Sequence, residues 1–172
     1  QLLNDVRWGE LDYLLIDMPP GTGDVHMALA RLLPRTELVI VTTPALAAQK
    51  VAARAADMAR RSFLRVAGVI ENMSAFECAH GDQYPLFGSG GGHSLASDVG
   101  VPLLGQIPIE PAVSRGGDIG EPAVLTSDSP AARTFLAIAD ALIADTVAGA
   151  ELAGCSARLE EPQVTPVALR RG

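Results

Sequence analysis

The apolar positions of this chain gather in four short runs that are rich in β-branched residues and bounded by turn-forming residues. In chain order they are residues 13–16, 38–41, 66–70 and 103–107. None of the four alternates apolar with polar positions, as a strand with one solvated face would. Runs that are apolar on both faces are typical of parallel strands covered by helices on each side, so we expect four such strands.

Segments with helical periodicity separate these runs. Between residues 46 and 61 apolar side chains recur every three or four positions opposite a charged stripe, which predicts an amphipathic helix. Residues 93–99 predict a short helix that Gly100 closes, and Ser129 followed by Pro130 has the composition of a helix start. The expected buried positions of that last helix are Phe135, Ile138, Leu142 and Ile143. This order of strands and helices predicts a layered α/β fold with a mainly parallel sheet.

Composition and charge narrow the class of protein. A chain of 172 residues, 48% of them hydrophobic, suits one packed globular domain. A net charge of −7 and an aromatic content of 4% argue against a nucleic-acid partner, which would need a basic face or stacking rings. No stretch reaches the roughly 18 apolar residues of a membrane span. Because no apolar stretch is long enough, we expect no membrane contact. Cys78 and Cys155 define no disulfide framework, so we expect a cytoplasmic protein.

The most informative segment follows the first apolar run, where the sequence reads LLIDMPPGTGD over residues 14–24. An aspartate at the carboxyl end of a buried parallel strand, here Asp17, lies where open α/β sheets bind ligands. The turn that follows contains two prolines and two glycines and is able to bring backbone amides near a phosphate. These residue types also fit a strand-end turn whose aspartate only caps the next helix.

Five blocks of the sequence together resemble the Mrp (ApbC-like) family of iron–sulfur cluster carrier ATPases. They are LDYLLIDMPPGTGD at 11–24, VTTP at 41–44, GVIENMS at 68–74, FGSGGG at 87–92, and GVPLLGQIP at 100–108 followed by GGD at 116–118. The blocks occur in the family's order and cover roughly residues 3–148. The resemblance implies a P-loop NTPase fold of the deviant-Walker-A group that also contains MinD and ParA.

The resemblance also implies nucleotide-binding residues. Asp17 matches the family's Mg²⁺-associated aspartate, and Gly21 matches the glycine of its switch turn. Asn72 matches the asparagine that reads the adenine edge, for which its amide offers both a donor and an acceptor. Pro108 matches the residue beside the base. Asn72 also fits an ordinary loop asparagine that satisfies backbone groups, although the adenine role is favoured, and Pro108 fits a stiff loop residue equally well.

The family's glycine-rich Walker A loop has no counterpart in this sequence. Because the family carries that loop near its amino terminus, we expect residues 1–149 to be the carboxyl-terminal part of a P-loop ATPase domain whose first strands lie upstream. A natural loss of the loop is the alternative. Residues 150–172 have no periodicity and mix Pro, Glu and Arg, which predicts a flexible tail.

The cluster-binding motif departs from the family pattern. Where members carry Cys-Pro-x-Cys, this chain reads Cys78-Ala79-His80-Gly81 and lacks the second cysteine. Two family subunits together supply four thiolates to a bridging [4Fe–4S] cluster, whereas here each would supply Cys78 and, as a substitute, His80. Histidine replaces cysteine on iron in Rieske centres. The alternative is that Cys78 is an ordinary thiol and His80 a solvated loop residue.

Two functions follow from the resemblance. The first is a homodimeric ATPase that uses ATP and Mg²⁺ to bind iron–sulfur clusters and transfer them to apoprotein clients. The second is a cluster-free, nucleotide-gated scaffold or partitioning-type ATPase with the same fold. The missing second cysteine keeps the second function open, and the five matching blocks favour the first.

Overall fold

The computed structural model of the chain describes residues 2–19, 23–78 and 80–153. It contains seven helices and four strands in these residues. They are α1 (Leu2–Asp5), α2 (Asp24–Leu32), β1 (Glu37–Thr42), α3 (Leu46–Arg61), β2 (Arg65–Glu77), β3 (Gln83–Tyr84), α4 (Gly91–Val99), β4 (Leu103–Ile109), α5 (Pro111–Ile119), α6 (Ala123–Thr126) and α7 (Pro130–Ala153).

The sheet is built around β2. Strands β1 and β4 both pair with β2 in parallel, whereas the short β3 pairs antiparallel with the far end of β2. The parallel registers join Ile40 to Val69 on one side and Val69 to Leu103 on the other. The predicted strands at 38–41, 66–70 and 103–107 are therefore confirmed, and so is the α/β class with a mainly parallel sheet.

A small apolar core forms on one face of this sheet. Apolar side chains of β1 and β2 meet small residues of α3 and the apolar stripe of α4. The cluster consists of Ile40, Ala52, Ala56, Val69, Leu95, Ala96 and Val99. Alanines on α3 let the helix lie close to the strands, which is why its apolar stripe contains no large side chain at these positions. The core joins β1 and β2 to α3 and α4, and the half-buried Leu103 at the start of β4 packs against it.

The predicted strand at residues 13–16 does not form. This segment belongs to no strand, and its side chains are exposed, with Leu15 at 91%. A strand is held by hydrogen bonds to a neighbouring strand, and no strand of the described residues pairs with this segment. Apolar composition alone was therefore not sufficient to place residues 13–16 in the sheet.

The helix predictions fare better. Helix α3 has the predicted bounds. Helix α4 ends at Val99 as predicted, where Gly100 closes it in the left-handed conformation with a φ of +75°, but it begins at Gly91, two residues earlier than predicted. Ser129 caps α7, because its hydroxyl accepts a hydrogen bond from the Ala132 amide at 3.2 Å. The predicted buried side of α7 is correct for Ile138. It is wrong for Phe135 and Ile143, which are 37% and 44% exposed, because the 3.6-residue period identifies a stripe but not how much of it is covered.

The chain divides into two compact units, Gln1–Ile109 and Glu110–Gly172. The first contains the sheet, and the second contains α5, α6 and α7. Helix α7 continues to Ala153, past the predicted start of the tail at residue 150, and residues 154–172 lie outside the described part of the chain. Among the described helices, none is both long and apolar enough to cross a membrane.

Candidate functional site

A break in the pairing of β2 with β4 creates an irregular segment at the carboxyl ends of the parallel strands. Asn72 pairs with Ile107, and the next pair joins Phe76 to Ile109. Three residues of β2 therefore stand opposite Pro108 alone, so β2 bulges away from the ladder. Proline has no amide hydrogen to donate, which suits it to the position where the ladder is interrupted.

This bulge brings together two of the residues predicted to bind nucleotide. Asn72 is the last paired residue before the bulge, and Pro108 follows its partner Ile107 directly. Both are half-buried at the edge of the sheet where parallel strands end. Ligands of open α/β folds bind outside this edge, so the position suits the predicted role, which remains a prediction.

The Asn72 side chain keeps most of its hydrogen-bonding capacity. Its Oδ1 accepts a hydrogen bond from the Met73 amide at 2.8 Å. Within the described residues the two amide hydrogens of Asn72 and the second lone pair of Oδ1 have no partner. Two donor hydrogens and one acceptor lone pair therefore remain for a planar ring such as a purine.

The backbone at Met73 is strained. Its φ is +57°, in the left-handed region that residues with a side chain seldom adopt. Such a residue costs about 1–3 kcal/mol and persists only where its surroundings hold it in place. The strain lies directly beside Asn72, within the bulge of β2.

A buried glutamate that the sequence analysis did not single out lies immediately before Asn72. Glu71 is 1% exposed, and its carboxylate accepts hydrogen bonds from the Gly92 amide at 2.5 Å and from the Gln106 side-chain amide at 2.6 Å. These bonds tie β2 to α4 and β4. The sequence signal for this buried carboxylate is a charged residue inside an apolar run. A glutamate at such a position needs hydrogen-bond partners, because Glu is almost never fully buried without them.

The glycine run before α4 serves close packing. A Cβ on Gly91 would lie 2.6 Å from the Pro44 carbonyl oxygen, and one on Gly92 would lie 2.5 Å from the Glu71 Cβ. The Gly92 amide, one of the free donors at the start of α4, is already taken by Glu71. The run therefore seats α4 on the ends of β1 and β2.

Asp17, the predicted Mg²⁺-associated residue, is exposed and directly follows residues 13–16, which belong to no strand. Gly21 falls outside the described residues, and α2 begins three residues later at Asp24 with Gly23 as its N-cap. The roles of Asp17 and Gly21 in holding Mg²⁺ and phosphate therefore stay predictions.

The cysteine motif forms the loop of a hairpin between β2 and β3. The Cys78 amide donates to the Asp82 carbonyl at 3.0 Å, and the Gly81 amide donates to the Cys78 carbonyl at 3.0 Å. The Cys78 thiol is half-buried and lies 3.9 Å from an Asp82 carboxylate oxygen, while His80 is exposed. Across the described residues, no group of three or more His, Cys, Asp or Glu side chains is arranged to hold a metal ion.

Comparison with known proteins finds relatives that are named as iron–sulfur cluster carriers. Relatives named "Iron-sulfur cluster carrier protein" are 48% identical over 149 residues in Mycobacterium leprae and 47% identical over 146 residues in Saccharolobus solfataricus. Each alignment covers 83% of this chain but only 39% and 49% of the respective relative. The chain thus spans about half the length of these relatives or less.

Solved structures support the same fold. A nucleotide-binding protein of Archaeoglobus fulgidus, solved in complex with ADP, is 36% identical with a TM-score of 0.58 and covers 72% of this chain and 50% of its own. The MinD cell division protein of Aquifex aeolicus has a TM-score of 0.54 at 24% identity, over 87% of this chain and 56% of its own. The MinD likeness shows a shared fold only.

The family assignment rests on a match along most of the chain. A family model described as "ParA: NUBPL iron-transfer P-loop NTPase" matches residues 1–143. The resemblance inferred from the five sequence blocks is confirmed by this match and by the carrier proteins. The chain belongs to the ParA family of iron-transfer P-loop NTPases.

Proposed function

We propose that the intact protein is a cytoplasmic ATPase that binds iron–sulfur clusters and transfers them to apoprotein clients. The observation that carries this proposal is the identity of 47–48% to proteins named as iron–sulfur cluster carriers, over 83% of the chain. Identity at this level along the whole matched region favours a shared activity over a shared fold alone.

The bulge of β2 is the proposed adenine site. The free donor and acceptor of Asn72 match the N7 and the exocyclic amine of adenine, and the half-buried Pro108 offers an apolar surface beside the ring. Asp17, which is exposed, would hold Mg²⁺ through water, and the backbone around Gly21 would approach the phosphates. The Mg²⁺ ion, when bound, would neutralise charge on the transferring phosphoryl group.

The hairpin loop is the proposed attachment point of the cluster. One chain offers Cys78 and His80 there, which is fewer than the four ligands that a [4Fe–4S] cluster takes. A homodimer would double this set to two thiolates and two imidazoles around a two-fold axis. With half of the thiolates replaced, such a cluster would be more labile than one held by four cysteines.

Anaerobic reconstitution of the intact protein with iron and sulfide tests this function. We expect an iron–sulfide chromophore in the dimer fraction and its transfer to an apo-ferredoxin. Cys78→Ser should abolish the chromophore and His80→Ala should weaken it, whereas Cys155→Ser is the matched control and should leave it unchanged. Absence of iron and sulfide from the reconstituted wild type, or a chromophore that survives Cys78→Ser, would reject the carrier function.

A cluster-free nucleotide-gated ATPase is the second candidate, and the hairpin loop is the observation that favours it. Gly81 stands where the family's second cysteine is expected, and the only thiol of the loop contacts the Asp82 carboxylate. The same reconstitution separates the two candidates. Nucleotide hydrolysis without uptake of iron or sulfide would support the cluster-free function.

A further inference from the structure

Glu71 is an acidic residue at a buried position of the sheet. It is 1% exposed, between Ile70 and Asn72 on the central strand β2. An ionised side chain buried in an apolar environment is strongly disfavoured unless hydrogen bonds replace its water. In the described residues no Lys, Arg or His lies within salt-bridge distance of it, so hydrogen bonds from neutral groups must hold the carboxylate.

The two oxygens of Glu71 have separate partners on separate elements. Oε2 accepts from the Gly92 amide at the first turn of α4, and Oε1 accepts from the Gln106 side chain on β4. Helix α4 has no side-chain cap at Gly90, so Glu71 supplies the acceptor and the negative charge that the start of a helix favours. The carboxylate thereby anchors β2 to two neighbours at one point.

This anchor lies directly before the irregular part of β2. Asn72 is the next residue and the last one paired with β4 before the bulge, and Met73 then adopts the left-handed conformation. A strained backbone keeps its shape only if the residues around it are fixed. Glu71 fixes the strand on the near side of the bulge, and the pairing of Phe76 with Ile109 fixes the far side.

We propose that Glu71 is a positioning residue for base recognition, which holds Asn72 in the orientation that discriminates adenine from guanine. This inference rests on the proposed nucleotide site and assigns Glu71 no contact with the ligand. The Glu71 carboxylate acts through the backbone of Asn72 and Met73. Its loss should therefore change which base is preferred, and not only how stable the protein is.

Substitution of Glu71 by leucine, which is similar in size, tests the proposal in the intact protein. Affinities for ATP and GTP, measured by calorimetry, should show an ATP preference that falls about tenfold in Glu71→Leu, the factor that one ordinary hydrogen bond is worth. Glu71→Gln should retain most of the preference, because a glutamine oxygen still accepts from Gly92 and the Gln106 amide can rotate to accept from the new amide. Val69→Ala, a buried change on the same strand, is the control that lowers stability and leaves the preference unchanged.

A double substitution separates positioning from general destabilisation. Asn72→Ala should lower the ATP preference by itself, and Glu71→Leu should add almost nothing to it if both residues act through one contact. Independent losses that multiply, or an unchanged preference in Glu71→Leu, would overturn the inference. If Glu71→Leu does not fold, Gln106→Leu removes one of the two anchoring bonds at an exposed position and should lower the preference about threefold.

Hydrogen exchange in the nucleotide-free protein provides a readout that does not depend on the proposed function. The Met73 amide, which donates to Asn72, should exchange faster in Glu71→Leu than in Val69→Ala. Equal exchange in the two variants would overturn the inference even if ATP binds. A wild type that binds neither nucleotide would overturn base recognition and reject the nucleotide site, and faster exchange in Glu71→Leu would then show only that Glu71 holds the backbone beside Asn72.

Discussion

Replacing Gly91 with alanine should destabilise the protein, although alanine is the better helix former. Gly91 is the buried first residue of α4, and an added Cβ would lie 2.6 Å from the Pro44 carbonyl oxygen and 2.8 Å from the Pro44 Cα. It would also meet the Gln49 amide nitrogen, which donates to that same carbonyl at 2.8 Å. Two of these three atoms belong to the backbone and cannot rotate away.

The magnitude follows from opposing contributions to the free energy of unfolding. Overpacking of this kind costs about 1–3 kcal/mol, and loss of the Gln49 hydrogen bond costs about 1 kcal/mol more. The gain in helix propensity from glycine to alanine offsets at most about 1 kcal/mol. We therefore expect a net loss of about 1–3 kcal/mol. A loss in the middle of that range lowers the melting temperature by about 4–8 °C in a protein of this size.

Urea unfolding of the intact protein measures the loss, and Gly117→Ala is the matched control. Gly117 lies inside α5, is exposed, and has no atom within 4 Å of an added Cβ. Gly117→Ala should gain about 0.5–1 kcal/mol for the same chemical change. If Gly91→Ala is as stable as the wild type while Gly117→Ala gains, close approach to Pro44 is not the reason that glycine stands at position 91.

Three further substitutions test the site and the fold. Asp17→Ala should slow ATP hydrolysis about a hundredfold with a smaller loss of nucleotide affinity, because ordered Mg²⁺ contributes several kcal/mol to transition-state stabilisation. Unchanged turnover in a steady-state assay would show that Asp17 only caps a helix. Asn72→Ala should lower the preference for ATP over GTP about tenfold in competition binding, and equal preference would remove Asn72 from the base site. Ser129→Ala should lower the free energy of unfolding in urea by about 1 kcal/mol, because the side-chain cap of α7 is lost. An unchanged free energy would show that the Glu110 carboxylate, which accepts from the Ala131 amide at 2.7 Å, is a sufficient cap.

The sequence predicted the parts of the fold in which local pattern and tertiary packing agree. Helix α3 has strong helical periodicity and the three paired strands have strong apolar character, and each packs against or pairs with another element of the structure. Residues 13–16 have the same apolar character, but no strand of the described residues pairs with them. The hydrophobic pattern of a segment indicates which side chains favour burial. Whether the segment forms a strand depends on hydrogen-bonded pairing with a neighbouring strand.

The candidate site was predictable by residue type but not by geometry. The resemblance identified Asn72 and Pro108, yet the bulge that brings them together arises from a register shift between β2 and β4. No local rule gives that shift. The role of Glu71 is not evident from the sequence, because a single acidic residue in an apolar run resembles a strand end. Its partners Gly92 and Gln106 also lie 21 and 35 residues away along the chain.

The tight turn of the cysteine loop also limits how this chain can evolve. Gly81 has a φ of +87°, a conformation that costs a residue with a side chain about 1–2 kcal/mol, so a cysteine there would be acquired only against that strain. Position 80 carries no such restriction and already holds a side chain able to bind metal. A second thiolate would therefore meet less backbone strain at position 80 than at position 81, so a Cys-x-Cys spacing suits this turn better than a Cys-x-x-Cys spacing.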